Sequence, residues 1–566
     1  MSPYRSPWFW LTLLGIGLFV FALGVITVGD AALSPAQEVL FTSPSGETMY
    51  GSYTPGRLEV GVMILEGFGS DQVMMRSAAN EFARMGAHVF TFDFSSHGRS
   101  PGTLGFDNAQ TDRLAYQALA AKEEFKRLSG LPDAQIVVVG HSLGARTALQ
   151  AATMDPQRVA GLVLIGVQVN LVTNLQAEVF TGTSDASLPW VQALSPLNPP
   201  VDILILSGDW DDILTPTAAR LLLAKLSGVP DAEQGQAYAA QLGASRRWVL
   251  FPNLLHNYEI FSPRVLVEAK SVVWAVWGNM DIENNRILSL PLPAEAADAT
   301  VAQTRIWMWL LGLGGIFLAL YAAPRWLATG NAIFQPRLEM THPKRFLWMK
   351  LLLWLASLPL AALLMGASFL LPLGNPAMNM IYVAFLGGYG LLQALLYWRG
   401  KMPGVRGQLP FEEARRFSLP RLAAGLAAGA LLLLAAALFT RSGLFMVPPV
   451  GDRLIWVALF TPITALGFWI GLNERALLDQ AAPGRRALAI LHTLAGLVPF
   501  FLYTLAMAFL GSYSGMISGL QGLVVLAYVL SGGKIVQWAG RSPWLTAFVQ
   551  AVILYCLILP NGVLFK

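Results

Sequence analysis

The run Gln135-Ile136-Val137-Val138-Val139-Gly140-His141-Ser142-Leu143-Gly144-Ala145 decides the fold of this chain. Its apolar, β-branched start reads as a buried strand, and the pattern from Ala145 to Met154 reads as a helix. Between them sits a Gly-x-Ser-x-Gly pentapeptide. A turn that passes so abruptly from strand to helix has no room for side chains beside its apex, a need that Gly140 and Gly144 meet. It also holds Ser142 in a strained conformation with its hydroxyl exposed, at a helix N-terminus that favours developing negative charge. In a chain with 53 glycines the pentapeptide alone says little. The strand before it and the helix after it give it meaning.

Outward from that turn the same alternation repeats. Glu38–Phe41 and Thr48–Tyr53 are short extended runs around Ser43-Pro44-Ser45-Gly46, the pattern of a hairpin. Buried-strand runs follow at Val60–Leu65, His88–Phe94, Val159–Val167, Asp202–Leu206 and Arg247–Phe251. Helical patterns separate most of them, at Ser77–Met85, Thr111–Leu128, Thr217–Leu226 and finally Pro263–Trp277. Continuous apolar strands alternating with helices imply an α/β fold with a mostly parallel sheet covered on both faces.

A serine hydroxyl is a weak nucleophile at neutral pH; it needs a base, itself oriented by an acid. The strand Asp202–Leu206 runs into Ser207-Gly208-Asp209-Trp210-Asp211-Asp212-Ile213-Leu214-Thr215-Pro216, and the last strand leads to His256. Of the four histidines between residues 31 and 281, only His256 follows that strand. The order is Ser, Asp, His, each at a strand's carboxyl end.

With these pieces, residues ~38–278 resemble a complete α/β-hydrolase superfamily domain. The resemblance is carried by Ile64-Leu65-Glu66-Gly67-Phe68-Gly69, by Asp93-Phe94-Ser95-Ser96-His97-Gly98-Arg99-Ser100, by the Gly140–Gly144 turn, by Gly208–Pro216 and by His256. It implies Ser142 as nucleophile, His256 as base and Asp211 as acid, with Asp212 the alternative acid and Asp209 a turn residue. It also implies an oxyanion hole at the backbone N–H groups of Leu143 and Phe68, and a structural role for His97-Gly98-Arg99. One departure stands out. The family commonly has His-Gly where this chain has Glu66-Gly67, and an ionised carboxylate aimed at the oxyanion would oppose catalysis. The superfamily places lids where Gln168–Val201 lies here. That segment is partly apolar (Leu171, Val179, Phe180, Leu188, Trp190, Val191), and reads equally as a cover for an acyl site or as a surface excursion.

Composition shows that this domain is not the whole molecule. Of 566 residues, 55% are hydrophobic and only 13% charged, far from the balance of a soluble protein. Between Asp30 and Thr300 there are 28 acidic and 17 basic residues; outside that window there are 6 and 21. The pI near 9.1 therefore averages an acidic domain with a basic remainder and gives no support to nucleic-acid binding. Trp8–Val28 is uncharged and about the ~20 residues needed to cross a bilayer. It reads as an uncleaved anchor, since no good signal-peptide cut site follows. Uncharged runs recur at 306–323, 351–372, 377–398, 422–440, 454–472, 487–510, 514–532 and 545–562, which predicts eight further spans.

The organisation expected is an anchor at 1–30, a hydrolase domain at 31–281, a linker at 282–304 and a membrane domain at 305–566. Basic residues set its direction. With Arg5 inside, 17 Lys and Arg fall on the cytoplasmic side and 4 in the outer segments, so the 31–281 domain is expected outside, at the plasma (inner) membrane. The spans show no ionisable residue at their centres, with His492 near one end, which argues against a proton or ion path. Gly425/Gly429, Gly511/Gly515 and Gly515/Gly519 have the spacing of close helix packing. The single Cys556 excludes an intrachain disulfide or thiolate metal site.

The function expected is an outer-face serine hydrolase of the esterase or lipase type, with thioesterase, acyltransferase and peptidase open. It needs no cofactor and no metal, and its partners are a small-molecule or lipid-like acyl substrate and the lipid bilayer. The alternative is a non-enzymatic transport or sensing protein whose hydrolase-like domain binds a ligand.

Overall fold

The computed structural model describes residues 6–105, 108–155, 157–171, 185–239, 244–278, 298–327, 338–376, 379–408 and 418–566. After an N-terminal helix, α1 (Pro7–Gly29), the chain builds a nine-stranded sheet from β1 (Gln37–Thr42), β2 (Thr48–Thr54), β3 (Gly61–Leu65), β4 (His88–Phe92), β5 (Ile136–His141), β6 (Gly161–Ile165), β7 (Asp202–Gly208), β8 (Ala237–Ala239) and β9 (Ser245–Phe251). The order is β1-β2-β4-β3-β5-β6-β7-β9-β8. The strands from β4 to β9 in that order pair in parallel, while β1, β2 and the edge strand β8 pair antiparallel. The hairpin and the six buried strands stand where the sequence patterns put them. β8 is additional: three residues with no hydrophobic pattern, recruited to the edge by β9.

Helices α2 (Arg76–Met85), α3 (Asn108–Ser129), α4 (Leu143–Met154), α5 (Pro216–Ser227) and α6 (Pro263–Gly278) cover both faces. Alternation along each strand divides the core. Ile136 and Val138 of β5 join Phe90, Phe92, Phe125 and Leu164 on one face. Val137 and Val139 join Val62, Ile64, Phe82 and Val265 on the other. α5 begins where Thr215 Oγ1 accepts the Ala218 N–H at 3.3 Å with Pro216 behind it, and ends at Gly228 in the left-handed region.

Beyond residue 298 the described chain is almost entirely helical: α7 (Thr300–Leu327), α8 (Pro343–Ser368), α9 (Met380–Trp398), α10 (Leu419–Thr440), α11 (Asp452–Ala481), α12 (Arg486–Phe509), α13 (Tyr513–Gly540) and α14 (Pro543–Ile558). With α1, eight helices among the described residues are long and apolar enough to cross a membrane. Seven of the eight apolar runs expected to span after residue 300 fold as helices of that length. The ninth apolar run folds as α14, 16 residues long and buried along its length against α11 and α13. Its apolarity serves packing as much as span length. Residues 300–304, assigned by sequence to the linker, are the first turn of α7; residues 282–297 lie outside the described residues.

The small residues do pack helices. A Cβ on Gly425 or Gly429 would fall 2.5 Å from Leu545 or Val549 of α14, and one on Gly519 would strike Thr504 of α12. α1 and α7 cross at Gly15 and Gly315, where a Cβ on either would lie 2.6 Å from the other's carbonyl oxygen.

Away from their centres, α8, α11 and α12 bring Lys350, Glu474 and His492 together, buried. Glu474 accepts from Lys350 Nζ, and lies 3.0 Å from each of His492 Nε2, Gln393 Nε2 and the Tyr397 hydroxyl.

One end of the helical bundle packs on the sheet domain. The Met446 N–H donates to Asp71 at 2.8 Å, Arg76 donates to the Arg441 carbonyl at 3.0 Å, and Arg453 donates to the Ser96 carbonyl at 2.5 Å. The Leu564 N–H reaches Ser96 Oγ at 2.6 Å, and its carbonyl accepts from the Leu104 N–H at 2.7 Å. Because the helices alternate in direction, Lys344, Arg345, Arg399, Arg406, Arg485, Arg486 and Arg541 lie at the opposite end. Arg5, Arg337, Arg415 and Arg416 lie outside the described residues.

Candidate active site

Four loops at the carboxyl ends of β3, β5, β7 and β9 supply the site. The β5 loop is the most constrained. Ser142 has φ 53° and ψ −115°, a conformation rare for any residue with a side chain. The strain is sustained by packing: a Cβ on Gly140 would lie 2.5 Å from Ala145 Cα, and one on Gly144 would lie 2.5 Å from the carbonyl oxygens of Leu65 and Glu66. Ser142 N–H is held by the Ile165 carbonyl at 2.9 Å. The turn therefore presents the Ser142 hydroxyl upward, with Leu143 opening α4 behind it.

Ser142 Oγ lies 2.9 Å from His256 Nε2, and His256 Nδ1 lies 3.0 Å from Asp211 Oδ2. Asp211 Oδ1 accepts the N–H groups of Ile213 at 2.7 Å and Leu214 at 2.8 Å, so its own turn fixes the carboxylate. All three side chains are buried or nearly so. Asp212, the alternative acid, points elsewhere and bonds Ser512 and Ser514 of the helical bundle. Asp209 accepts the Leu254 N–H at 3.4 Å and serves the turn. Burial alone would depress the His256 imidazole. The Asp211 carboxylate, with Asp212 beyond it, outweighs that and holds it above its ordinary value.

Beside the serine, a Cβ on Gly67 would lie 2.9 Å from His141 Nδ1 and 3.3 Å from Ser142 Cβ, so Gly67–Phe68 runs directly past the nucleophile. Glu66 faces away from it. Its carboxyl accepts the Phe94 N–H at 2.8 Å at the end of β4, on the far side of β3 from β5. Burial, reinforced by the like charge of Asp93, pushes Glu66 well above the usual carboxylate range. Its carboxyl is turned away from Ser142. His97 is buried with its Nδ1 3.0 Å from the Ser95 carbonyl, and Arg99 pairs with Glu38 at 2.7 Å, both away from the serine.

Two site residues escaped the sequence reading. Glu259, three residues past His256, donates no pattern of its own, yet its Oε1 accepts the Gly208 N–H at 2.6 Å and its Oε2 lies 3.8 Å from His256 Nδ1. Burial and the Asp211 charge raise its carboxyl well above the ordinary range. His141 packs its ring 5.0 Å from His256 and is pushed down to about 3 by burial, so it is neutral. The donor atoms of His141, His256 and Glu259 lie close enough to share an ion. Both His256 nitrogens, however, are engaged by Ser142 and Asp211, and His141 Nε2 lies 3.2 Å from the His256 carbonyl.

Of the Gln168–Val201 excursion, Trp190 and Val191 are buried against the core, and Arg146 pairs with Asp185 at 2.7 Å. Val179 and Phe180 lie outside the described residues.

Residues 62–228 match the α/β-hydrolase fold family, and the sheet domain has the α/β-hydrolase fold. The chain is 26% identical over 263 residues to an uncharacterized protein of Mycobacterium tuberculosis, covering 44% of this chain and 82% of that one. Among solved structures it is similar to an esterase from Pyrococcus furiosus (16% identity, 42% of this chain and 91% of that one, TM-score 0.32). It is also similar to a hyperthermophilic esterase from the archaeon Pyrobaculum calidifontis (15% identity, 47% and 93%, TM-score 0.33).

Proposed function

From an α/β-hydrolase domain seated on a bundle of membrane-length helices, we propose a membrane-embedded serine hydrolase that cleaves ester-like acyl bonds on the outer face of the membrane. The observation that carries this reading is the continuous relay Ser142–His256–Asp211, with contacts of 2.9 and 3.0 Å, set on a strained strand-to-helix turn. Ser142 Oγ attacks the acyl carbonyl carbon while its proton passes to His256 Nε2. The imidazolium is stabilised by Asp211, and the N–H groups of Leu143 and Phe68 receive the oxyanion. Collapse of the tetrahedral intermediate expels the alcohol, which takes the proton from His256. Water then repeats the sequence on the acyl-enzyme and releases the acid. The relay draws on no cofactor.

The orientation rests on the basic residues gathered at the bundle end opposite the domain. A reporter fused after Gly278 should behave as extracytoplasmic. For the chemistry, membranes holding the full chain are treated with a fluorophosphonate probe. Labelling of the wild type and its loss in Ser142→Ala are expected. Labelling that persists in the variant, or is absent from folded wild type, overturns the mechanism.

A further inference from the structure

The loops that carry the triad also carry the contacts to the membrane bundle. Phe68, beside the oxyanion hole, meets the Phe565 ring at 5.9 Å. Trp210, next to Asp211, stacks on Tyr513 at 6.2 Å with planes 28° apart. Asp212, on the other side of Asp211, accepts from Ser512 and Ser514. Asn257, after His256, donates to the Ser514 carbonyl at 3.5 Å. In an open α/β sheet the ligand binds at the carboxyl ends of the strands. Here one side of that rim is the end of the bundle.

The rim is also apolar and exposed. Phe68 is 38% exposed, Trp210 49% and Tyr513 39%, although each ring touches a partner across the junction. Four residues before Tyr513, Phe509 is 83% exposed at the end of α12, followed by Leu510 at 51%. A residue of that kind at a span's end faces hydrocarbon. Exposed apolar side chains therefore stand at the end of α12, four residues on at Tyr513, and at Trp210, which Tyr513 stacks on beside the acid. A water-soluble substrate has no use for such a strip. A chain that must leave hydrocarbon without crossing water does, because each CH₂ exposed on the way costs about 0.8 kcal/mol.

We infer that the bundle forms one wall of the acyl site and that the substrate is the acyl ester of a bilayer lipid, delivered from the outer leaflet along Phe509, Tyr513 and Trp210. This rests on the serine-hydrolase reading above. Hydrolysis would add water across the ester bond, leaving a carboxylic acid and a lipid with one acyl chain fewer, both of which return to the same leaflet.

The test uses the full chain reconstituted in phosphatidylcholine–phosphatidylglycerol vesicles containing a phospholipid with a fluorescent acyl chain. Water-soluble p-nitrophenyl acetate is assayed in parallel. Ser142-dependent release of the fluorescent fatty acid is expected. Tyr513→Ala should lower that release about tenfold, the effect of losing one aromatic contact, and Tyr513→Phe, which keeps the ring, should restore it. A wild type that labels with fluorophosphonate and cleaves the soluble ester but leaves the bilayer lipid intact overturns the inference while sparing the hydrolase reading. So does lipid release that Tyr513→Ala does not change. Lipid release that survives Ser142→Ala overturns the hydrolase reading, and this inference with it.

Discussion

Ser514 donates its hydroxyl to Asp212 at 2.6 Å and its backbone N–H to the same carboxylate at 3.1 Å, across 302 residues of sequence. Two adjacent aspartates thus face opposite ways: Asp211 into the site and Asp212 into the helical bundle.

Their substitutions should separate cleanly. Asp211→Asn should lower kcat by about 10³–10⁴, as expected when the base loses the carboxylate that fixes its tautomer. Asp212→Asn should keep most of kcat. It should destabilise the junction by about 1–2 kcal/mol, the scale of a partly exposed charged hydrogen bond, read as a lower unfolding midpoint in detergent. Equal losses of kcat in the two variants would contradict this division.

The acidic limb of kcat/KM should reflect His256. Its folded-state value lies above 6.5, and the base works only when deprotonated, so activity should fall with decreasing pH around a midpoint above 6.5. In Asp211→Asn the opposing burial is no longer outweighed, and the residual limb should move to lower pH. A limb that stays put would separate Asp211 from the imidazole's titration.

Glu66 should make the wild type lose stability as pH rises. Its carboxyl is held well above the ordinary value, so the folded state binds a proton that the unfolded chain releases. The stability is whole below the ordinary range near 4.5 and declines as pH climbs toward the folded value. Glu66→Gln keeps an acceptor for the Phe94 N–H without a charge to bury. Its midpoint should gain on wild type as pH goes from 5 to about 8, measured by thermal unfolding across that series. A difference that stays flat across the series would mean that Glu66 ionises freely.

Gly144→Ala should fail for a steric reason. The new methyl would sit 2.5 Å from the carbonyls of Leu65 and Glu66, so β3 must move from β5. A loss of about 1–3 kcal/mol and of fluorophosphonate labelling is expected together. A stable, fully labelled variant would show that the turn has slack.

What could be read from sequence was whatever a local pattern announces. Ser142 and His256 stand at the ends of buried strands, and the strain at Ser142 follows from the two glycines beside it. The preference for Asp211 over Asp212 came from the family resemblance; no local pattern supplies it, because it depends on which residue the Ile213 and Leu214 N–H groups cap and on a serine pair in the bundle. Glu259 had no signal beyond lying three residues after a histidine. Lys350, Glu474 and His492 each look like span-end residues when read alone; only helix packing assembles them. The 16-residue length of α14 and its burial are invisible to hydropathy, which does not distinguish a helix wrapped by lipid from one wrapped by protein.

The crossing of α1 and α7 at Gly15 and Gly315 bears on how the molecule is made. The two helices meet as a hairpin whose loop is the entire sheet domain, so in a membrane α1 would wait, its Gly15 face unmatched, until roughly 270 further residues had been synthesised. At ~5–20 residues per second that interval is tens of seconds, long enough for a domain of this size to fold first. The later helices would then assemble against a finished surface. Errors in their insertion should leave a folded but unsupported sheet domain, not an unfolded chain.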